Sequence, residues 1–157
     1  MMVGTMEINV LIDGADIPLG EVWLEGVARQ VLAAEEAGSD VEMGVVVTSQ
    51  ERVQELNRTY RGIDEPTDVL AFGEETGAVP FVSAPDGVRH LGEVIISYPQ
   101  ALAQADEHHH PVERETALLI THGVLHLLGY DHEKPEEERR MRAREAQILS
   151  VIEGGEA

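Results

Sequence analysis

Three histidines with a spacing suited to one metal ion lie in the segment Thr121 to His132, which reads THGVLHLLGYDH. His122 and His126 are four residues apart, so on an α-helix their side chains lie one turn apart on the same face. Gly129 can adopt the left-handed conformation that ends a helix, after which the chain can turn back and bring His132 to the same point. Three converging imidazoles leave one position of a tetrahedral zinc ion open, as in catalytic zinc sites. The segment therefore predicts a metal site with the ligands His122, His126 and His132.

An ordinary structural role is the alternative for each of these histidines taken singly. The residues around them are apolar, namely Ala117, Leu118, Leu119, Ile120, Val124, Leu125, Leu127 and Leu128. A helix that is apolar nearly all round is expected to be buried, and buried imidazoles need polar partners. A metal ion supplies such a partner, which favours the metal site.

The histidine spacing matches the long zincin metallopeptidase pattern, His-Glu-x2-His-x2-Gly-x2-His, with one change. The glutamate that serves there as general base is replaced by Gly123, which cannot accept a proton. The pattern therefore predicts a metal-dependent hydrolase that is not a zincin-type peptidase.

Length and composition favour one globular domain, spanning residues 1–157, without disulfides, because the chain has no cysteine. No signal peptide and no apolar run of membrane-spanning length is recognisable, so the expected location is cytoplasmic. The net charge of −19 argues against a nucleic-acid partner, because contacts to phosphate need lysine and arginine. An RNA partner would require a local basic patch, for which Arg58, Arg61 and the group Arg139 to Arg144 are the candidates.

The elements that must position these residues follow from apolar periodicity and turn residues. Strands are expected over Met6–Ile12, Val41–Thr48, Asp68–Phe72 and Leu91–Ser97. Helices are expected over Leu19–Glu36, Arg52–Tyr60 with Ser49 as N-cap, Pro99–Ala105, from Val112, and over Glu136–Ile152. Long or irregular loops are expected over Glu74–Arg89 and at His108–His110. The order β-α-β-α-β-β-α-α-α predicts an α+β domain with one small sheet and helices packed against it.

Three motifs together, HGVLHLLGYDH, LNRTYRGIDEPTDVLAF and LGEVIIS, resemble the YbeY family of bacterial metal-dependent endoribonucleases. The resemblance covers about Val46 to His132 and departs at Ala71 and Gly73, where serine and proline are usual. It implies one compact α+β domain with a mixed four-stranded sheet and a zincin-like metal helix. It also implies one zinc ion on His122, His126 and His132, and a role for Arg61 in activity.

The implied function is cleavage of single-stranded RNA, in 3′-end maturation of small-subunit (16S) rRNA and in ribosome quality control. The implied partners are rRNA and the small ribosomal subunit, with no DNA and no membrane. Zinc and Arg61 would stabilise the negative charge that develops on phosphorus. The general base stays open among a zinc-activated water, Asp131 and Glu133.

Two other functions compete with this interpretation. One is a metal-dependent hydrolase of a peptide or small amide, which Gly123 argues against. The other is a zinc-stabilised module that binds the small ribosomal subunit without catalysis, in which His108–His110 or a carboxylate would supply a fourth ligand.

Overall fold

A computed structural model describes residues 6–14, 16–37, 40–73, 88–130 and 133–154 of the chain. These segments form four strands and five helices in the order β-α-β-α-β-β-α-α-α. The strands are β1 (Met6–Ile12), β2 (Val41–Thr48), β3 (Val69–Gly73) and β4 (Arg89–Ser97). The helices are α1 (Glu21–Ala34), α2 (Gln50–Arg61), α3 (Tyr98–His108), α4 (Val112–Leu127) and α5 (Pro135–Gly154).

The strands form one mixed sheet in the order β1-β2-β4-β3. β1 and β4 each pair with β2 in parallel, while β3 pairs with β4 in the antiparallel direction and lies at the edge. A single α+β domain with a mixed four-stranded sheet is therefore confirmed.

The two faces of the sheet are covered unequally. On one face, alternate residues of β2 such as Met43, Val45 and Val47 are buried in the main core, which also contains residues of α1, α4 and α5. On the other face α2 covers a smaller cluster consisting of Val53, Leu70, Phe72 and Ile95. Because successive side chains of a strand point to opposite faces of the sheet, one face packs against α1, α4 and α5 and the other against α2 alone.

Most boundaries agree with the expectations from sequence, and those of β1 and β2 are identical. Ser49 caps α2 as predicted, because its Oγ accepts a hydrogen bond from the Arg52 backbone N–H at 3.2 Å. The predicted loop Glu74–Arg89 lies outside the described residues except for 88–89. No helix within the described segments is long and apolar enough to cross a membrane.

The end of α3 differs from the prediction. This helix continues to His108, and the loop expected at His108–His110 therefore begins one residue later. The reason is His109, which adopts the left-handed conformation with φ 56°. The backbone N–H of His110 donates to the carbonyl of Ala105 at 3.1 Å, as in a Schellman C-cap.

Candidate metal centre

The helix α4 places two of the three predicted metal ligands side by side. Pro111, which precedes this helix, is exposed, but most residues of the helix up to its end at Leu127 are buried. His122 and His126 are half-buried, and their ring centroids lie 4.7 Å apart in an edge-to-face arrangement. The spacing of one helical turn therefore brings the two imidazoles together, as the sequence predicted.

The chain reverses at Gly129, directly after this pair. Gly129 has φ 104°, which a residue with a β-carbon rarely adopts. The backbone N–H of Tyr130 donates to the carbonyl of Leu125, and that of Gly129 to the carbonyl of His126, both at 3.0 Å. These two bonds form the Schellman motif that the sequence indicated. His132 and Asp131 lie outside the described residues, so the third ligand stays a prediction.

A carboxylate from α5 holds the first histidine. Oε1 of Glu145 lies 2.6 Å from Nδ1 of His122. A carboxylate can only accept, so this contact puts a proton on Nδ1, and in the neutral ring Nε2 is then the nitrogen with the lone pair. Metal-binding histidines are typically held this way by a carboxylate behind the ring. The donor set around His122 and His126 therefore fits a zinc ion.

Sequence reasoning missed Glu145, although the pattern of α5 contains a signal for it. Met141 and Ile148 are buried on one face of this helix, and Glu145 follows Met141 by four residues and precedes Ile148 by three. Glu145 consequently lies on the apolar stripe, with only 13% of its side chain exposed. A carboxylate at such a position needs a buried polar partner, and His122 supplies it.

Tyr130, the last residue of the Schellman motif, is anchored to α1 and α5. A side-chain hydrogen bond with Glu35 is the main reason why the pKa of Tyr130 is raised, followed by burial. Arg144 of α5 contacts the same carboxylate through Nε, and its Nη2 donates to the carbonyl of Ala34 at 2.6 Å. This anchor, formed by Glu35, Tyr130 and Arg144, fixes the chain at Tyr130, two residues before His132 in the sequence.

Gly123, at the position of the zincin general base, lies against the sheet. A β-carbon there would lie 2.6 Å and 2.8 Å from the two γ-carbons of Val94 in β4. The glycine is buried, and its missing side chain lets α4 approach β4 closely. A glutamate would have no space at this position, so the close packing explains why the peptidase base is absent.

Arg61 is the last residue of α2, and its side chain is exposed. Its neighbour Tyr60 packs against Phe72 of β3, with ring centroids 5.3 Å apart. On the opposite face of the same strand, a β-carbon on Gly73 would lie 3.1 Å from Cδ2 of Leu127, which follows His126. Tyr60, next to Arg61, and Leu127, next to His126, thus contact adjacent residues on opposite faces of the edge strand β3.

The acidic residues after α2 have structural contacts. Gln54 donates to Oδ1 of Asp64 at 3.1 Å, and Gln104 donates to Oδ2 of Asp68 at 3.0 Å. The backbone carbonyl of Asp68 also accepts from the N–H of Ser97 at 2.9 Å. These contacts fix the connection between α2 and β3, in keeping with ordinary turn residues.

His108 and His110 lie apart from the histidine pair of α4. His108 and His110 both contact Glu115, in the first turn of α4. Glu115 precedes His122 by seven residues, which is about 10 Å along the helix axis. The two groups are therefore separate.

Comparisons with known proteins agree with this architecture. The family model described as endoribonuclease YbeY matches residues 16–153. A protein of Chloroflexus aurantiacus named endoribonuclease YbeY is 48% identical over 152 residues, covering 96% of this chain and 97% of that protein. A Dehalococcoides mccartyi protein of the same name is 47% identical over 148 residues, covering 89% of this chain and 86% of that protein.

The fold is also found in a solved structure. The solution structure of a Thermotoga maritima protein is similar with a TM-score of 0.62 and 27% identity, covering 94% of this chain and 90% of that one. The resemblance inferred from the three motifs is thereby confirmed, and it extends well beyond Val46 to His132. The chain belongs to the endoribonuclease YbeY family.

Proposed function

We propose that this chain is a zinc-dependent endoribonuclease that cleaves single-stranded RNA. Its role would be 3′-end maturation of 16S rRNA and ribosome quality control, in contact with the small ribosomal subunit in the cytoplasm. Residues 1–157 would act as one domain, with one catalytic zinc ion on His122, His126 and His132. The observation that carries the proposal is the His122–His126 pair on a buried helix, with Nδ1 of His122 bonded to Glu145.

When bound, zinc would supply Lewis acidity at the phosphodiester and make a water more acidic. The protein's own groups would do the rest. His122 and His126 would hold the ion by Nε2, and Glu145 would keep the ring of His122 in its ligating tautomer. Arg61 would bind phosphate oxygens by a forked contact and offset their growing negative charge.

The placement of Arg61 supports this role. Within the described part of the chain it forms no ion pair, and the same is true of Arg58 one turn earlier. Both are exposed on the last turn of α2, where a phosphate can reach them. They would form a local basic patch on a chain of net charge −19.

The surface beside Arg61 also suits an unpaired base. Tyr60 is 58% exposed and borders a cleft of about 380 Å³ between α2 and the sheet. Leu56, Phe72 and Ile95 contribute apolar lining. Aromatic rings on single-strand-binding proteins stack with bases that have left a duplex, so this cleft favours a single-stranded substrate.

The decisive experiment is cleavage of a single-stranded fragment from the 3′ end of 16S rRNA by the zinc-loaded chain. His126→Ala and Arg61→Ala are compared with Arg29→Ala, which removes an exposed arginine from α1, and all are purified identically. We expect the wild type and Arg29→Ala to cleave, His126→Ala to lose the catalytic zinc and cleavage, and Arg61→Ala to lose cleavage while keeping that zinc.

Three other outcomes would contradict the proposal. Equal cleavage by all four proteins would reveal a contaminating nuclease. Loss of both zinc and cleavage in Arg61→Ala would make that arginine structural. If the proteins bind the RNA but none of them cleaves it, the chain is a ribosome-binding module and not an enzyme. Its zinc should then be needed for folding.

A further inference from the structure

The junction between α3 and α4 brings a second group of metal-binding side chains together. Nδ1 of His108 lies 3.2 Å from Oε2 of Glu115, and Nε2 of His110 lies 2.8 Å from the same oxygen. The three ligand atoms all lie within 4.8 Å of one another. We propose that His108, His110 and Glu115 form a second metal site, for a divalent transition-metal ion such as zinc.

The backbone explains why only two of the three adjacent histidines take part. His109 adopts the left-handed conformation, with φ 56° and ψ 44°, at the end of α3. The residues on either side of it consequently project towards each other, and the ring centroids of His108 and His110 lie 5.4 Å apart. His109 itself is exposed and is not a member of the group.

The burial of Glu115 indicates that a cation belongs here. Its side chain is only 1% exposed, although it lies in the first turn of α4. A carboxylate removed from water needs a positive partner or several hydrogen bonds. Both side chains at its Oε2 are imidazoles, which can accept a metal ion in their neutral form.

The ring of His110 is oriented as a ligand and not as a hydrogen-bond donor. Within the described part of the chain, neither of its buried ring nitrogens makes a hydrogen bond, although Nε2 lies 2.8 Å from Oε2 of Glu115. A zinc ion would lie about 2.1 Å from both atoms and off the line that joins them. A ligating nitrogen would accordingly point past the carboxylate oxygen towards the ion.

The separations from Glu115 and the atom types fit this class of ion. Ligand atoms around tetrahedral zinc are about 3.3 Å apart for bonds of about 2.0–2.1 Å. The observed separations from Glu115, 2.8 and 3.2 Å, require adjustments of a few tenths of an ångström. Two imidazole nitrogens with one carboxylate oxygen suit zinc, nickel or copper, whereas calcium and magnesium prefer oxygen ligands alone.

The role expected of this second ion is structural. Its site lies about 10 Å along α4 from His122, whereas paired catalytic ions lie about 3.5–4 Å apart. The ion would tie the end of α3 to the first turn of the helix that carries His122 and His126. The side chain of His108 is 56% exposed, so solvent can reach the site and complete the coordination.

The test counts metal ions on the full-length chain after chelation and dialysis. Zinc and cobalt(II) are added back near neutral pH, bound metal is counted by elemental analysis after equilibrium dialysis, and cobalt absorption reports the geometry. His108→Asn removes a proposed ligand from an exposed position, and Glu115→Gln removes another with little change of shape. His109→Asn is the matched control, because asparagine tolerates the left-handed conformation. His126→Ala reports the separate centre.

We expect His108→Asn and Glu115→Gln each to bind one ion fewer than the wild type. His109→Asn should bind as many ions as the wild type, and the ion lost in His126→Ala should be a different one. The proposal fails if His108→Asn binds as much metal as the wild type, or if His109→Asn loses as much as His108→Asn. The first result would leave Glu115 in contact with the two histidines without a metal ion, and the second would indicate non-specific binding to a histidine-rich surface. Because His126→Ala is counted separately, failure here does not depend on the catalytic centre.

Discussion

Oε1 of Glu145 lies 2.6 Å from Nδ1 of His122, so a residue of α5 fixes the ring of a candidate metal ligand on α4. The two residues are 23 positions apart, and their contact is part of the packing of α5 against α4. The last helix, which lies outside the three sequence motifs, therefore contributes directly to the proposed centre.

Replacing Glu145 should weaken metal binding without unfolding the chain. In Glu145→Gln the amide can present its NH2 group to Nδ1, so the tautomer with a free Nε2 is no longer enforced. We expect zinc affinity to fall about 10–100-fold, measured by competition with a chromophoric chelator. Glu138→Gln, which alters the exposed partner of Arg142 on the same helix, should change nothing. An unchanged affinity in Glu145→Gln would refute the positioning role.

The close packing of α4 on β4 predicts opposite effects for two glycine-to-alanine substitutions. Gly123→Ala would push a methyl group into Val94, at 2.6 Å from Cγ1, and should lower the free energy of unfolding by about 1–3 kcal/mol. Gly26→Ala, in the middle of α1, meets nothing within 4 Å and should raise it by about 0.5–1 kcal/mol. Urea unfolding of both variants measures the difference. A Gly123→Ala variant as stable as the wild type would show that Val94 and the sheet can shift to accommodate the methyl group at little cost in free energy.

Local rules predicted most of the fold. Strand alternation defined β2, the Ser49 cap defined the start of α2, and Gly129 defined the end of α4. Each of these signals depends on residues within a few positions of one another, where sequence spacing and spatial distance are tightly linked. The His122–His126 pair belongs to the same class, because helical geometry alone brings the two rings together.

The contacts around the candidate centre could not be predicted in the same way. A stripe of buried residues on α5 shows that Glu145 faces inward, but not which helix it meets. Likewise, the reason for a glycine at position 123 is its close approach to Val94, which lies on a strand 29 positions earlier in the chain. Such contacts depend on how separate elements dock, and one sequence does not specify the docking.

Arg144 should matter for stability, whereas its neighbour Arg142 should not. Arg144 contacts Glu35 and donates to the backbone of Ala34, at the end of α1. We expect Arg144→Ala to cost about 1–2 kcal/mol of unfolding free energy, because charge-assisted hydrogen bonds to partly buried partners are lost. Arg142→Ala removes an ion pair whose arginine is 76% exposed, and it should cost less than about 0.5 kcal/mol.

Urea unfolding of the two variants tests this difference directly. Equal stabilities would show that the contacts of Arg144 contribute nothing net. The expected result would also remove Arg144 from the candidate basic patch Arg139 to Arg144. Its side chain contacts the end of α1, and it could bind phosphate only by giving up these contacts.

Arg58 should contribute to RNA binding through its charge alone. It is exposed on the last turn of α2, one turn before Arg61, and has no ion pair within the described segments. We expect Arg58→Ala to weaken binding of single-stranded RNA similarly for all sequences. The slope of log affinity against log salt should become shallower by about 0.7, as for the loss of one phosphate contact to a single strand.

Fluorescence anisotropy with labelled RNA, using metal-free protein so that no cleavage occurs, measures both quantities. Arg29→Ala removes the same charge from α1, outside the candidate basic patches, and separates a local contact from an effect of net charge. If the two variants shift affinity and salt slope equally, the strongly acidic chain responds only to its overall charge, and α2 is not the RNA-binding surface. If only Arg58→Ala has an effect, the last turn of α2 contacts phosphate beside Arg61, as the proposed mechanism requires.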